Sequence, residues 1–549
     1  MQKNTAYFLI AILGVALFFP LLGQVHLFDW DEINFAECAR EMIVSKDYLR
    51  AQIDFAPFWE KPPLFIWLQL LSMKLFGINE YAARFPNALI GVLTLLSVYY
   101  AGKRLVNEKM ATWWVLLYAA SWLPHFYFKS GIIDPTFNFF IFLGFFQFYL
   151  VSQNANRKLH ALLAGLFIGL AVLTKGPVAI LVAVLAFVVH VIINKGWGGY
   201  KFSDLVYIGI AALLPIAAWF GADVLIYGWS YGKWFVNEFI GYQIRLFRTE
   251  DADHGGPFFY HFIVLLIGCF PASAFLFQYL GKQSHAQKAK AFTRWMWIMF
   301  WVVLLLFSIV KTKIVHYSSL CYFPLTYLAA LQVYKLIHEG AFIKKWVKGI
   351  LIFITAIWGI LLTALPLVGI YKNKIIPFVD DPFAVGNLQA DVSWSYAECL
   401  IGLVYLIALI IIIVRLTKHF KQSIMALVVL QMLFIQIMVV HITPKIEAYS
   451  QHAAIQYFQS FVGKDVYVCV LGYRSYAHLF YTQKLPATNP HYHNAKNFNY
   501  PDEDWLLNGQ LDKPAYFICK IQNADKYKAM PQLEAIGAKN GFAFFKRKG

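Results

Sequence analysis

The sequence has few charged residues and few cysteines for its length. Asp, Glu, Lys and Arg make up 14% of the 549 residues, whereas an average soluble domain has roughly 25%. Six cysteines in a chain of this size do not form a disulfide framework. The 34 glycines and 21 prolines are ordinary levels that exclude fibrous repeats and disordered chain. With 60% hydrophobic residues and a mean hydropathy of +0.56, the composition predicts an α-helical polytopic membrane protein.

Apolar runs define the predicted membrane spans. A spanning helix needs about 20 mostly apolar residues. Thirteen segments fit this requirement, and an odd number places the two termini on opposite sides of the membrane. The first lacks a small-residue cleavage site, so we interpret it as a helix and not as a removable signal peptide. The segments are 6–23, 84–101, 111–127, 134–151, 160–174, 177–193, 203–226, 258–280, 295–310, 315–336, 347–370, 396–414 and 422–442.

The positive charges are distributed unequally between the two sides. The chain has 47 Lys and Arg against 30 Asp and Glu, a formal charge of +17. Short loops on one side hold 18 Lys and Arg residues, and those on the other side hold six. Because Lys and Arg favour cytoplasmic loops, we predict a cytoplasmic N-terminus, an outer C-terminus and no nucleic-acid partner. The six residues of the outer loops are Lys129, Lys175, Lys311, Lys313, Lys372 and Lys374.

This orientation places three hydrophilic regions on the outer face. They are a loop at 27–83, a second loop at 228–257, and the tail from 445. The sequence therefore predicts a transmembrane domain over 1–444 that carries both loops, and a separate outer domain over 445–549. Two amphipathic stretches of the first loop, Asn34–Val44 and Leu64–Phe76, are predicted to lie along the membrane surface.

The tail alternates strand-like and helix-like runs, which predicts a small α/β domain. Cys469 and Cys519 lie on two of its strand-like runs. Both interpretations of this pair remain open, a disulfide or two buried thiols. The strand-like runs are Val466–Leu471, Tyr516–Cys519 and Phe542–Phe545, and the helix-like runs are Ala453–Val462 and Ala524–Ile536.

The first candidate site residues are Asp31 and Glu32, directly after the first span. One interpretation is structural: Asp29 caps a surface helix and Glu32 completes a capping box. The other is functional, because a carboxylate at the membrane surface can act as a general base or orient a polar substrate. The residues alone leave both interpretations open.

Glu60 and Lys61 form a second candidate pair. The prolines at 62 and 63 stop a helix and hold the preceding dipeptide extended beside aromatic residues. The pair is either an interfacial turn with a snorkelling lysine or a lysine that meets an anionic headgroup while the glutamate contacts a sugar.

Further candidates lie in the second loop and between the later spans. Arg245 has apolar neighbours and can bind a phosphate bidentately. His254 lies beside Asp251 and Asp253, but their spacing fits no metal-ligand pattern, so we predict a solvated loop and no metal. Two further candidates are the segment 311–317, with Lys313 and Tyr317, and Lys175. Both place lysines in predicted outer loops, although Lys and Arg are otherwise concentrated in the predicted cytoplasmic loops. Such residues are more often functional than not.

Taken in order, these segments resemble the GT-C glycosyltransferases that use polyprenyl-phosphate sugars. The resemblance covers nearly the whole chain. It is greatest to the bacterial aminoarabinose transferases (ArnT) and extends to the wider family of protein O-mannosyltransferases. The matching pieces are Asp31-Glu32, Glu60-Lys61-Pro62-Pro63, Arg84-Phe85-Pro86, Thr174-Lys175-Gly176-Pro177, His254 with Pro257-Phe258, and Lys313 to Tyr317 before Pro324.

The resemblance implies transfer of a sugar from undecaprenyl phosphate to an acceptor at the periplasmic face of the bacterial inner membrane. It implies that Asp31, with Glu32, supplies the acidic group of the catalytic cavity. It also implies that Glu60 and Lys61 bind the donor sugar and phosphate, and it adds the further candidates Arg245, Lys313, Tyr317, Lys175 and His254. The expected reaction inverts the anomeric carbon and needs no cofactor and no obligatory metal, and the expected state is a monomer.

The acceptor remains open among lipid A, protein and polysaccharide. The chain departs from the ArnT pattern where substrates would be recognised, since Asn34 and Phe35 follow the acidic pair in place of arginine and tyrosine. Two alternatives of other classes are a membrane transporter or lipid flippase, and a lipid-binding scaffold. Secondary transporters often show inverted repeats, and the sequence shows no internal repeat.

Overall fold

The computed structural model describes residues 2–153, 156–248, 255–279, 287–489, 491 and 503–548. Helices dominate because long apolar segments satisfy their own backbone hydrogen bonds in a membrane. Up to residue 248 the helices are α1 (Gln2–Phe18), α2 (Asp31–Ser45), α3 (Leu64–Phe76), α4 (Glu80–Leu105), α5 (Glu108–Ala120), α6 (Trp122–Tyr127), α7 (Asp134–Ser152), α8 (Arg157–Lys175), α9 (Val178–Asn194), α10 (Phe202–Tyr227) and α11 (Trp229–Arg248).

The second half of the chain continues the bundle and ends in a mixed region. Its helices are α12 (Tyr260–Gly268), α13 (Ala272–Leu276), α14 (Gln287–Ile309), α15 (Tyr322–His338), α16 (Lys345–Ile370), α17 (Lys372–Ile375), α18 (Pro382–Leu388), α19 (Tyr396–Arg415), α20 (Phe420–Ile437), α21 (Thr443–Ser450), α22 (His452–Gln459), α23 (Ala477–Tyr481), α24 (Glu503–Asn508) and α25 (Ala524–Lys528). The strands are β1 (Gln52–Ile53), β2 (Ala56–Pro57), β3 (Tyr467–Leu471), β4 (Ala515–Lys520), β5 (Leu533–Lys539) and β6 (Phe542–Arg547).

Within the described ranges, nine helical segments are long and apolar enough to cross a membrane. Each matches one of the thirteen predicted spans, so the chain is a multi-pass membrane protein. Two further predicted spans, 6–23 and 177–193, correspond to the shorter apolar helices α1 and α9. The predicted spans 111–127 and 258–280 are broken. Ser121, in an extended conformation, separates α5 from α6, and Pro271 separates α12 from α13.

Small residues allow two membrane helices to approach closely. Gly165 and Gly169 on α8 lie four residues apart and face α10. A Cβ atom added to Gly165 would lie 2.2 Å from the carbonyl oxygen of Ile208, and one added to Gly169 would lie 2.5 Å from that of Ala212. This small-xxx-small pattern permits backbone contact between transmembrane helices.

The C-terminal region contains a four-stranded sheet with the strand order β3-β4-β6-β5. β3 pairs in parallel with β4, and the other neighbours are antiparallel. The predicted helix over Ala524–Ile536 is wrong beyond Lys528, because Pro531 lacks the N–H that a helix interior needs and the following residues pair with β6 as β5. Cys469 and Cys519 are free and buried on adjacent strands.

The first outer loop packs against this C-terminal region. Phe35 of α2 and Phe65 of α3 share one buried core with Phe458 of α22 and Phe480 of α23. As a consequence, α2 is buried over residues 32–42. The predicted helix is present, but its predicted position along the membrane surface is wrong because protein covers it on all sides.

Buried charges on α2 are paired inside this core. Arg40 donates to both oxygens of Glu37, at 2.7 and 2.6 Å. Glu41 accepts the backbone N–H of Asp54 at 2.6 Å, and Asp54 pairs with Lys484 of the C-terminal region at 2.5 Å. Two ion pairs and the hydrogen bonds to Glu41 thus hold the loop together, and the pair of Asp54 with Lys484 joins it to the C-terminal region.

The close contact between α8 and α10 predicts the effect of one methyl group. Gly165→Ala places a Cβ against backbone, so we expect a loss of about 1–3 kcal/mol and a lower Tm of the detergent-purified protein. Gly209→Ala is the matched control, since nothing lies within 4 Å of its added Cβ. It should leave the Tm unchanged or slightly raised. Equal Tm values for the two variants would contradict the proposed contact.

Candidate active site

A cavity of about 730 Å³ lies between the membrane helices and the C-terminal region. Its walls come from the loop between α1 and α4, the neighbouring ends of α7, α8 and α9, α11, the segment between α14 and α15, and two residues of the C-terminal region. The lining residues are Phe28, Asp29, Trp30, Asp31, Glu32, Asn34, Phe35, Glu60, Lys61, Ile132, Ile133, Asp134, Lys175, Val178, Tyr242, Gln243, Phe307, Val310, Ile314, His316, Tyr317, Arg474 and Lys520.

A buried ion pair anchors the loop that forms one wall. Arg84 of α4 donates to both oxygens of Glu32, at 2.9 and 2.8 Å. Glu32 also accepts the N–H groups of Phe28 and Gly131, at 2.9 and 2.5 Å. Burial alone would raise the pKa of Glu32, but Arg84 and these donors hold it below its usual value. With both oxygens occupied, Glu32 positions the loop. The remaining N–H groups of Arg84 donate to the carbonyls of Leu22, Val25 and His26.

Asp31 lies at the start of α2 and faces the cavity. Its side chain is 30% exposed, and its Oδ2 lies 3.5 Å from Nε2 of His316. The predicted capping box is absent: Trp30 precedes α2 and makes no side-chain cap hydrogen bond. Asp31 itself lines the cavity, where its partly exposed carboxylate is open to a substrate.

Asp134 and Lys175 form an ion pair at the ends of two neighbouring helices. Asp134 begins α7 and Lys175 ends α8, and Nζ lies 2.5 Å from Oδ1. The other oxygen of Asp134 lies 3.8 Å from Nε2 of His316, which thus lies between two carboxylates. Lys175 also lies 5.1 Å from the ring centre of Tyr317. Two acids, two cationic or titratable groups and a phenol therefore share one wall.

Glu60 and Lys61 form another part of the lining. Gln243 of α11 donates to the carbonyl of Glu60 at 3.1 Å, and Lys61 lies 5.8 Å from the ring centre of Tyr242. The carboxylate of Glu60 lies 3.4 Å from Nη2 of Arg474. The lysine is thereby held at the cavity by contacts from α11.

Arg474 and Lys520 bring cations from the C-terminal region to the same cavity. The guanidinium of Arg474 lies 4.4 Å from the ring centre of Trp30, whose ring packs against that of Tyr476 at 4.9 Å and a tilt of 33°. These contacts hold the C-terminal region against the start of α2, since cations bind the faces of indole rings.

Asp29 carries an unusual carboxyl at the cavity mouth. Burial among protein atoms raises the pKa of Asp29 from 3.8 to about 6, and hydrogen bonds from Ser475 and Tyr476 oppose part of that rise. Asp29 also lines the cavity. Its carboxyl therefore keeps a proton to a higher pH than an ordinary aspartate.

The structure brings together Asp31, Glu32, Glu60, Lys61, Lys175 and Tyr317 of the residues predicted from sequence. Arg245 is exposed on α11 and is not part of the lining. Lys313 is buried, and its ammonium donates to the carbonyls of Phe307, Ser308 and Val310 at the end of α14. His254 lies outside the described residues.

Six charged or titratable lining residues were not predicted as site residues, namely Asp29, Asp134, Tyr242, His316, Arg474 and Lys520. Asp134 had a signal, because it is the one charged residue of the span Asp134–Ser152 and acids at such depth are costly. His316 lay within the candidate segment 311–317 but was not singled out. Arg474 and Lys520 had no signal in the sequence, since no local pattern shows which tail residues reach a loop more than 400 positions away.

Three comparisons with known proteins agree. A family model described as dolichyl-phosphate-mannose-protein mannosyltransferase matches residues 60–220. The undecaprenyl phosphate-alpha-4-amino-4-deoxy-L-arabinose arabinosyl transferase of Edwardsiella ictaluri is 29% identical over 74% of this chain and 77% of its own length. The protein of that name from Wigglesworthia glossinidia brevipalpis is 28% identical over 60% of this chain and 59% of its own length.

The fold is that of a solved enzyme. The crystal structure of ArnT from Cupriavidus metallidurans bound to undecaprenyl phosphate superposes with a TM-score of 0.77 at 17% identity, over 99% of this chain and 98% of that one. The apo state of the same enzyme gives 0.76. The predicted resemblance to polyprenyl-phosphate-sugar glycosyltransferases of GT-C type is confirmed.

The Glu32 ion pair predicts a large effect of removing its cation. Arg84→Met leaves a buried carboxylate unpaired, so we expect a loss of about 3–5 kcal/mol and little monodisperse protein on size-exclusion chromatography. Arg104→Met, an exposed arginine on the same helix, is the control and should behave as wild type. Arg84→Met with wild-type yield and Tm would show that the pair does not hold the loop.

The raised pKa of Asp29 predicts that the difference in stability between wild type and Asp29→Asn depends on pH. The folded protein keeps a proton on Asp29 up to pH about 6, and the unfolded chain only up to about 3.8. Protonation therefore favours the fold, and this contribution is lost as pH rises through 6. The Asp29→Asn variant does not lose this contribution. The Tm of the variant minus the Tm of wild type should therefore be about one or two degrees higher at pH 7 than at pH 4. A constant difference would contradict the raised pKa.

Proposed function

We propose that this chain, whose fold is that of ArnT, is a glycosyltransferase of the bacterial inner membrane that takes a sugar from undecaprenyl phosphate at the periplasmic face. Lipid A is the acceptor we favour, because the resemblance to ArnT implies it, and two similar proteins are named as undecaprenyl phosphate-aminoarabinose arabinosyl transferases. The observation that carries the proposal is the arrangement of Lys61, Lys175 and Tyr317 in one cavity with Asp31.

The cations of the cavity suit the departure of a lipid phosphate. In the transfer step an acceptor oxygen bonds to the anomeric carbon while the bond from that carbon to the phosphate oxygen breaks. Lys61 and Lys175, with the hydroxyl of Tyr317, would stabilise the charge that develops on the released phosphate. Lys175 takes the place we had expected for Arg245, which is exposed on α11.

The role of Asp31 depends on the acceptor. For a hydroxyl acceptor, Asp31 takes the proton as general base, and Nε2 of His316 lies 3.5 Å from its carboxylate. For a phosphate acceptor the nucleophile is already anionic, and Asp31 positions it. Attack from the side opposite the leaving phosphate inverts the anomeric carbon in either case.

The remaining expectations form part of the same proposal. We propose that all thirteen predicted segments span the membrane, with a cytoplasmic N-terminus, and that residues 445–549 form a periplasmic domain beside a transmembrane domain over 1–444. The excess of Lys and Arg in alternate loops supports this orientation. We also propose that the enzyme works as a monomer.

A second candidate is a protein O-glycosyltransferase with the same fold. The family model that matches residues 60–220 is described as a protein mannosyltransferase, and this favours a protein hydroxyl as acceptor. A polysaccharide acceptor fits the same chemistry. A transporter or flippase would need no general base, so the two carboxylates beside His316 give that alternative less support.

Loss of the Asp31 carboxylate tests the proposal. In a deletion strain complemented with Asp31→Asn, transfer to a hydroxyl acceptor should fall by about 10²–10⁴-fold, because a positioned acid or base contributes roughly that much. Transfer to a phosphate acceptor should fall less, since Asp31 then only positions the nucleophile. Mass spectrometry of envelope lipids and glycoproteins measures it, as loss of a sugar-sized mass. Asp391→Asn, an exposed aspartate outside the cavity, is the matched control and should restore the modification.

The position of the lost mass identifies the acceptor. A mass missing from lipid A supports the favoured acceptor, and one missing from a protein or polysaccharide supports the second candidate. An unchanged glycan profile in the deletion strain, with a lipid or solute redistributed across the membrane, would overturn the glycosyltransferase proposal.

A further inference from the structure

Outside the cavity, two histidines and a glutamate converge at the outer end of the bundle. Nδ1 of His26 lies 2.9 Å from Oε1 of Glu447, and Nδ1 of His452 lies 3.1 Å from Oε2 of the same carboxylate. One ligand atom from each residue lies within 4.8 Å of the others. Glu447 is 6% exposed, and the two histidines are 20% and 36% exposed. The group is thus open to solvent on its histidine side only.

We propose that His26, Glu447 and His452 bind a divalent transition-metal ion, with Zn²⁺ as the favoured ion. Two imidazoles and a carboxylate form a ligand set that suits Zn²⁺, whereas Mg²⁺ and Ca²⁺ prefer oxygen ligands alone. Tetrahedral Zn²⁺ with bonds of about 2.0–2.1 Å separates its ligand atoms by about 3.4 Å. The two carboxylate–imidazole separations are already near this value, and the fourth position faces solvent.

The far side of each imidazole has a partner of the kind that metal-bound histidines use. The amide nitrogen of Gln459 lies 3.4 Å from Nε2 of His26, and that of Gln456 lies 2.8 Å from Nε2 of His452. Rotation of each amide by half a turn presents its oxygen instead. Nε2–H then donates to that oxygen and leaves the Nδ1 lone pair for the metal, so each glutamine fixes the tautomer that binds.

The neighbouring charges permit a cation at this place. Arg84 donates to the backbone carbonyl of His26 at 2.9 Å, but Glu32 neutralises its charge. The carboxylate of Glu447 makes ion pairs only with the two histidines among the described residues. A divalent ion would therefore add to a site whose own acid has no competing lysine or arginine.

The ion would join two distant parts of the chain near the cavity. His26 lies on the segment that leads to Asp29 and Asp31, and His452 begins α22, which leads to the C-terminal sheet. Gln451, next to His452, already donates to the carbonyl of Leu27 at 2.7 Å and accepts the N–H of Asp29 at 3.2 Å. The ion would reinforce this link as a clamp, and it takes no part in sugar transfer.

Metal binding by the purified full-length protein tests the clamp. Tag-free protein in detergent is stripped with EDTA and titrated with Zn²⁺ alone. We expect one ion bound per chain and a rise in Tm. His452→Gln and Glu447→Gln should each weaken binding at least tenfold, because each removes a ligand. His419→Gln, an exposed histidine that precedes α20, is the control and should bind as wild type.

A measurement on the wild-type protein covers the case in which a variant fails to fold. Co²⁺ in place of Zn²⁺ should give the strong visible absorption of a four-coordinate site, and Zn²⁺ should displace it. The proposal is overturned if wild type binds no Zn²⁺, if both ligand variants bind as tightly as wild type, or if Co²⁺ shows only six-coordinate absorption. Because no readout uses sugar transfer, the outcome is independent of the proposed function.

Discussion

The geometry of the cavity depends on the buried pair of Arg84 and Glu32. The guanidinium holds three carbonyls of the segment between α1 and α2, and the carboxylate holds N–H groups on both sides of the cavity, at Phe28 and at Gly131. Asp31 adjoins Glu32 in sequence, and Asp134 follows Gly131 by three residues. This ion pair therefore helps to set the distance between Asp31 and Asp134, the two carboxylates that flank His316. Separating a buried pair is costly, because each charge would be left buried without its partner.

Sequence patterns predicted the features that depend on local chemistry. The membrane helices follow from apolar length, the span of α3 matches the predicted Leu64–Phe76, and the strands β3, β4 and β6 follow from their alternation. The contacts between residues of the site could not be predicted from these patterns. Lys175 and Asp134 lie on different helices, and Arg474 reaches the first loop only through the core that α2 and α3 share with the C-terminal region. Such contacts arise from tertiary packing, which no periodicity encodes.

In the segment 311–317, the direction of the backbone determines which side chain has a structural role and which one reaches the cavity. Lys313 and Tyr317 lie four residues apart, and both were candidates for the phosphate. Ile314 is extended, and a tight helical turn starts at Val315. This change of direction sends Lys313 back to the carbonyls at the end of α14, where the helix dipole favours a cation, and sends Tyr317 into the cavity. The sequence places both residues in one short segment that connects two spans, and only the turn separates their roles.

The origin of the charges on the cavity walls bears on the choice of acceptor. Lys61 and Lys175 belong to the segments that also carry the resemblance to polyprenyl-phosphate enzymes, so they suit a donor that all such enzymes share. Arg474 and Lys520 come from the C-terminal region and lie on the side of Asp29, whose pKa is about 6. A phosphate-bearing acceptor that approaches Asp31 meets repulsion from both aspartates, and these two cations offset it. A neutral hydroxyl meets no such repulsion. We infer that the C-terminal region adjusts the charge of the cavity to that of the acceptor, while the first loop and α8 supply Lys61 and Lys175 for the donor.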